Sequence, residues 1–201
     1  MTAIIDYGVG NLFSLEGSLK HIGEECVITA DEAVLRRADR IILPGVGAFP
    51  DAIKKLENTG LVPVIKELAE IKPIMGICLG MQLLFDVSFE YGTHKGLGLI
   101  QGKVVPIESQ ISEPLKVPHM GWNSLNIRKT GGILKYVNEN EFVYYVHSFC
   151  AVDCSESVTA SSYYGTDITG SVQKNNVYGT QFHPEKSGET GLKILKAFCE
   201  L

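Results

Sequence analysis

Hydrophobic and polar positions follow two different rhythms along this chain. In the first half, short apolar runs alternate with helical patterns. Ala3–Asp6 ends in Tyr7-Gly8-Val9-Gly10, read as a turn because two glycines sit together there. Asn11 stands where a helix N-cap would, ahead of Leu12, Leu15, Leu19 and Ile22 at helical spacing. Cys26–Thr29 reads as a second strand, Asp31 as the cap of a helix over Glu32–Ala38, and Arg40–Leu43 as a third strand stopped by Pro44-Gly45-Val46-Gly47. Helical stretches over Asp51–Asn58 and Leu61–Ile71 lead to a strand at Pro73–Ile77, and a further helix begins over Gly80–Phe85. Strands and helices alternating through short turns predict right-handed βαβ units and a parallel sheet. Runs as apolar as Ile41-Ile42-Leu43 suit strands buried on both faces.

From Gly96 to Gly179 the rhythm changes to β-branched and aromatic residues punctuated by Gly and Asn. Strands are expected at Lys103–Ile107, Gly121–Ile127, Phe142–Ser148, Val158–Tyr164, Ile168–Lys174 and Val177–Phe182. They read as largely antiparallel hairpins laid onto the parallel sheet, with a turn at Asn175-Asn176, where Asn tolerates positive φ. Ser187–Leu201 closes the chain as a helix capped by Ser187, with Leu192, Leu195, Phe198 and Cys199 on its inner face. The expectation is one α/β domain over residues 1–201: a central, mostly parallel sheet flanked by helices, with an added antiparallel portion.

Composition narrows the function classes. With 18 basic and 23 acidic residues the net charge is -5, which disfavours nucleic acid or an anionic membrane as the main partner. No apolar run approaches the roughly 18 residues of a membrane span, and Met1–Tyr7 lacks the basic and apolar regions of a signal peptide, so a cytoplasmic location is expected. The five cysteines (Cys26, Cys78, Cys150, Cys154, Cys199) are odd in number and scattered, as in a reducing compartment. Cys150 and Cys154 have no second Cys/His pair at zinc spacing, so no metal is expected. Gly8-x-Gly10 lacks the third glycine of a dinucleotide site, and no cofactor is expected. His21 and His94 read as surface residues.

The sharpest chemical feature is Gly76-Ile77-Cys78-Leu79-Gly80, at a strand-to-helix junction. This is the nucleophile-elbow pattern with Cys in place of Ser. The glycines permit close approach of strand and helix. The thiol sits at a helix N-terminus, which favours thiolate. The Leu79 N–H can serve as an oxyanion donor. Far downstream, Gln181-Phe182-His183-Pro184-Glu185 offers a base, with a carboxylate placed to fix its tautomer. On the elbow alone, a buried structural cysteine stays open as a reading.

Together these segments resemble the class I (triad) glutamine amidotransferases. The resemblance covers essentially the whole chain, and it implies Cys78 as nucleophile, His183 as base and acid, and Glu185 as the orienting carboxylate. It further implies a glutamyl thioester, ammonia release and hydrolysis to glutamate. Within the family, Pro44–Gly47, Gly80–Phe85, Tyr145–Ser148 and above all Pro118-His119-Met120-Gly121-Trp122-Asn123 are similar to the glutaminase subunits of imidazole glycerol phosphate synthases, which act in histidine biosynthesis.

That similarity implies a heterodimer with a cyclase subunit built as a (βα)8 barrel. The cyclase receives ammonia and makes imidazole glycerol phosphate and an aminoimidazole carboxamide ribotide. It implies substrate contacts from Gly45, Val46 and Gly47 (the second oxyanion donor, after a rearrangement promoted by the partner's ligand), Leu79, Gln82, Ser148 and Phe149. Asn11, Trp122, Asn123 and Lys186 are implied as partner-facing. Cys150, beside Phe149, is a thiol expected near the pocket. A glutaminase serving another synthase, a free-standing cysteine hydrolase and a non-catalytic subunit are the competing readings.

Overall fold

The computed structural model describes residues 1–201. Strands and helices alternate through β1 (Thr2–Ile5), α1 (Leu12–His21), β2 (Cys26–Thr29), α2 (Glu32–Arg37), β3 (Arg40–Leu43), α3 (Phe49–Asn58), α4 (Val62–Ala69), β4 (Ile74–Ile77) and α5 (Leu79–Leu83). The chain then runs through β5 (Phe85–Ser88), β6 (His94–Lys95), β7 (Ile100–Pro106), β8 (His119–Ser124), β9 (Asn126–Ile127) and β10 (Phe142–His147). It ends with β11 (Phe149–Val152), β12 (Val158–Tyr163), β13 (Asp167–Lys174), β14 (Val177–Thr180) and α6 (Gly188–Cys199).

The main sheet has the order β2-β1-β3-β4-β14-β13-β12-β9. It is parallel from β2 to β14 and antiparallel beyond. The inner strands are buried on both faces, so their alternation divides the core into two layers. Ala3, Ile5, Ile41, Leu43 and Ile74 face one layer, with α2 to α5. Ile4, Ile42 and Met75 face the other, with Leu15 and Leu19 of α1 and Ile194, Leu195 and Phe198 of α6. A second sheet, β11-β7-β5-β6, and a two-stranded ribbon, β10-β8, complete the fold.

The α/β expectation holds, with local corrections. The helix begun at Gly80 ends at Leu83, because the Leu84 carbonyl accepts the N–H groups of Leu99 and Ile100 and turns Phe85 into a strand. That strand pairs in parallel with β7, so the second half is less uniformly antiparallel than expected. The expected strand over Gly121–Ile127 is split at Leu125 between the ribbon and the main sheet. Only Ser148 separates β10 from β11, yet they lie in different sheets.

Among the caps, Asp31 accepts from the amides of Ala33 and Val34, whereas the side chains of Asn11 and Ser187 cap nothing. The inner face of α6 is Ile194, Leu195, Ala197 and Phe198, with Leu192 half-buried. Asn175 has the positive φ expected of the hairpin turn. No helix is long and apolar enough to cross a membrane.

Candidate active site

Two neighbouring parallel strands bring the elbow cysteine and His183 together. β4 and β14 run in register, Gly76 beside Gly179 and Ile77 beside Thr180. Cys78 and His183 therefore emerge at the same, carboxyl edge of the sheet, where open α/β sheets place ligands. The Cys78 N–H donates to the Thr180 carbonyl at 2.7 Å, tying the elbow to the adjoining strand. Cys78 has φ 54 and ψ -112, a strained conformation for a side-chain-bearing residue that projects its sulfur from the turn. The elbow closes because its glycines lack side chains: a Cβ on Gly76 would meet the Gly80 carbonyl oxygen at 2.5 Å. Leu79 is the first residue of α5, so its N–H has no intrahelical acceptor and is open to an oxyanion.

His183 and Glu185 are almost fully enclosed, with side chains 2% and 3% exposed, and imidazole Nδ1 lies 2.8 Å from carboxylate Oε1. The Ser187 hydroxyl holds this segment against β10 by donating to the His183 carbonyl (2.6 Å) and accepting the Tyr144 N–H (2.9 Å). Burial opposes charge on His183, but hydrogen bonding and attraction from the Cys78 sulfur and Glu185 outweigh it and push its pKa up to about 10.

A folded value above the unfolded one means that His183 protonation contributes stability fully present below about pH 6.5, the unfolded value. That contribution is lost as the pH rises through about 10. Glu185→Gln should shrink this alkaline loss, as read by urea denaturation at pH 6 and pH 10.

The sulfur opens on a cleft of about 290 Å3, lined by Val46, Gly47, Leu79, Gln82, Ser148 and Phe149 among the expected residues. Gly45 does not line it. Its backbone packs on the elbow, where a Cβ would meet the Gly80 nitrogen at 2.5 Å. Gln82 is buried with both amide N–H groups committed, to the Phe149 carbonyl (3.1 Å) and Gln181 Oε1 (3.0 Å), so it braces the wall.

Cys150, expected near the pocket, is walled off among Val105, Ile107 and Ile168, and burial pushes its thiol up to about 12. His94, expected at the surface, is half-buried and its Nε2 has no partner. His21 is exposed. No cluster of His, Cys, Asp or Glu could hold a metal ion.

Four lining residues are not among those expected from the sequence: Glu90, Pro118, Val146 and His147. Glu90 is 7% exposed, and its Oε2 accepts the Phe49 N–H at 2.8 Å. Burial raises its pKa against the opposing pull of that amide. The only signal in the chain is an acid set between Phe89 and Tyr91. His147 also lines the cleft, but its Nδ1 faces the Phe149 carbonyl (2.8 Å) and its Nε2 faces His119 (2.9 Å), so it has no nitrogen free to act as a base.

Of the four residues expected to face a partner, Trp122 is 56% exposed and packs edge-on to Tyr144. Lys186 is exposed and Asn11 half-buried. Asn123 turns inward, its amide donating to the Tyr163 carbonyl and His119 Nε2.

The model of the family "Glutamine amidotransferase class-I" matches residues 3–200. Three proteins named imidazole glycerol phosphate synthase subunit HisH are similar along most of their length. The one from Bacillus cereus is 49% identical over 98% of this chain and 93% of its own. That from Lactococcus lactis is 48% identical over 98% and 96%, and that from Caldanaerobacter subterraneus 48% over 100% and 98%. Among solved structures, PurLQS from Thermotoga maritima superposes with a TM-score of 0.77 at 21% identity, covering 99% of this chain and 97% of that one. A structure described as a glutamine amidotransferase gives 0.75 at 19%, covering 98% of each. At these identities the structures speak for the fold alone.

Proposed function

The chain belongs to the class I glutamine amidotransferases, among the glutamine amidotransferase subunits of imidazole glycerol phosphate synthase, and from that premise we propose that it hydrolyses glutamine through a Cys78 thioester and passes the ammonia to a cyclase subunit. The observation that carries the reading is the enclosed His183–Glu185 pair at the mouth of the strand beside the elbow cysteine.

The Cys78 sulfur attacks the carboxamide carbon of glutamine. Charge that develops on the oxygen is met by the Leu79 N–H, with a second donor from the Gly45–Gly47 segment. His183, held as imidazolium by Glu185, gives its proton to the departing nitrogen, which leaves as ammonia. The same imidazole then takes a proton from water, whose oxygen attacks the thioester carbon. Glutamate leaves, and the sulfur is restored.

The amino-acid end of the substrate lies between Glu90, whose buried carboxylate suits an α-ammonium, and the Ser148–Phe149 backbone. Glu90→Gln should therefore raise KM for glutamine about 10- to 100-fold while leaving kcat far less changed, the loss expected for one charge-assisted contact. Steady-state glutamate release at varied glutamine checks this.

The partner is a (βα)8-barrel cyclase bound as a heterodimer in the cytoplasm. It turns the ammonia into imidazole glycerol phosphate and an aminoimidazole carboxamide ribotide. Met120 and Trp122, exposed on one face of β8, together with Lys186 and Asn11, form its docking face. An exposed Trp beside an exposed Met fits an interface anchor.

The test is glutamate release by the chain alone and with the cyclase and its ribotide ligand. Low turnover alone and a large rise in the pair support the reading. Equal turnover in both points to a free-standing hydrolase, and no turnover in either to another synthase.

A further inference from the structure

We propose that His119 and His147 form a tautomer-locked relay that positions the Phe149 edge of the pocket from β8, the strand whose other face meets the partner. Both are positioning residues. The inference rests on the reading above, in which Ser148 and Phe149 hold the amino-acid end of glutamine.

The polarity of the relay follows from backbone groups whose roles are fixed. The Phe149 carbonyl can only accept, so His147 Nδ1, 2.8 Å away, carries a proton. Nε2 of that neutral ring is then an acceptor, and His119 Nδ1, at 2.9 Å, must donate to it. His119 Nε2 is in turn an acceptor, and the Asn123 amide nitrogen meets it at 3.2 Å.

The outer end gives the same answer independently. The Asn123 nitrogen also donates to the Tyr163 carbonyl at 2.9 Å, and its oxygen accepts the Ser124 N–H at 2.9 Å, which admits one amide orientation. A proton added to either ring would set two donors face to face. Burial acts in the same direction, lowering His119 to about 4 and His147 to about 3. No carboxylate is hydrogen-bonded to either ring.

Stacking holds the inner link in place. The His119 ring lies between Tyr145 (4.6 Å) and Tyr164 (4.1 Å), and their hydroxyls are tied to Ser162 and to the Lys116 carbonyl. At the pocket end, the Phe149 carbonyl takes both the His147 and the Gln82 donors. It is thereby withheld from substrate, and the segment that lines the cleft is held in one orientation. Along β8, His119 and Asn123 point inward while Met120 and Trp122 are exposed. The relay therefore begins on the back of the docking face and ends at the substrate edge.

The experiment combines nitrogen NMR of the histidine rings with kinetics of the subunit pair. In the wild-type chain, both rings should be neutral and protonated on Nδ1 from pH 5.5 to 8. His119→Phe keeps an aromatic ring for the stack and removes the donor. His119→Asn keeps an amide nitrogen close to where Nδ1 stands. With the cyclase present, His119→Phe should raise KM for glutamine about tenfold with kcat within about threefold, and the His147 Nε2 signal should shift as it loses its donor while Nδ1 stays protonated on the Phe149 carbonyl. His119→Asn should return KM to within about threefold of wild type, which a merely structural role would not predict.

A ring protonated on Nε2, or titrating in that pH range, would overturn the relay. So would a folded His119→Phe variant with the wild-type KM, or an Asn variant no better than Phe. If the wild-type pair released no glutamate, the functional reading would fall, and the ring spectra alone would still decide the relay.

Discussion

Replacing Cys78 with serine should leave a folded protein that releases glutamate from glutamine at least about 10^4-fold more slowly, in the presence of the cyclase as in its absence. Sulfur is a far stronger nucleophile toward the carboxamide carbon than the serine oxygen. His183 gains its tendency to stay protonated in part from the Cys78 sulfur, so the serine variant should also lower the His183 pKa. Both changes slow the same half-reaction: a weaker nucleophile attacks, and less imidazolium stands ready for the leaving nitrogen. The fold should survive because the exchange is nearly isosteric and the site is already polar, with Gln181 and the Val146 carbonyl near the sulfur. Single-turnover glutamate release, with a melting curve beside it, tests both halves. A variant retaining a tenth of the activity would overturn Cys78 as nucleophile.

Gly80→Ala is expected to be among the most disruptive single methyls in the chain, costing at least about 3 kcal/mol and removing activity in whatever protein still folds. A Cβ there would be driven into the Leu43 carbonyl oxygen, with Pro44 just beyond. These are backbone atoms of the segment that also supplies Gly45 to Gly47, so relief requires moving the elbow or the proposed oxyanion loop. Gly17→Ala is the control. Gly17 is inside α1, and a Cβ there meets nothing within 4 Å. That variant should gain about 0.5–1 kcal/mol, from helix propensity alone. Urea denaturation of the two variants against wild type should give opposite signs.

The contrast between these glycines also marks what the sequence could and could not express. Gly76, Cys78 and Gly80 lie within one turn of chain, and the physical reasons for that spacing are local. His183 and Glu185 share a short turn in the same way. Glu90 and His147 owe their places to distant chain. Glu90 is fixed by the Phe49 amide, and β5, which leads to it, pairs with β7. His147 lies at the end of β10 and gains its His119 partner only when β8 is alongside. No spacing within the chain encodes either contact.

The same reasoning accounts for β11. A single residue, Ser148, separates it from β10, and the alternating burial of β10 does not continue into it. Which sheet a strand enters is decided by its neighbours. Cys150 illustrates the result: β11 packs against β7, and its thiol is turned into the small cluster with Val105 and Ile107.

The position of β14 carries a consequence for biosynthesis of the protein itself. This strand is the last in chain order, yet it sits in the interior of the main sheet between β4 and β13. Until it emerges from the ribosome, β4 presents an unsatisfied edge, the kind of template on which other chains misassemble. The growing polypeptide also has a complete cysteine elbow from Gly80 onward, but not His183 until β14 has been made. One insertion event both seals the sheet and brings His183 to the sulfur. On the proposed mechanism, a chain that has not yet reached His183 therefore releases no ammonia.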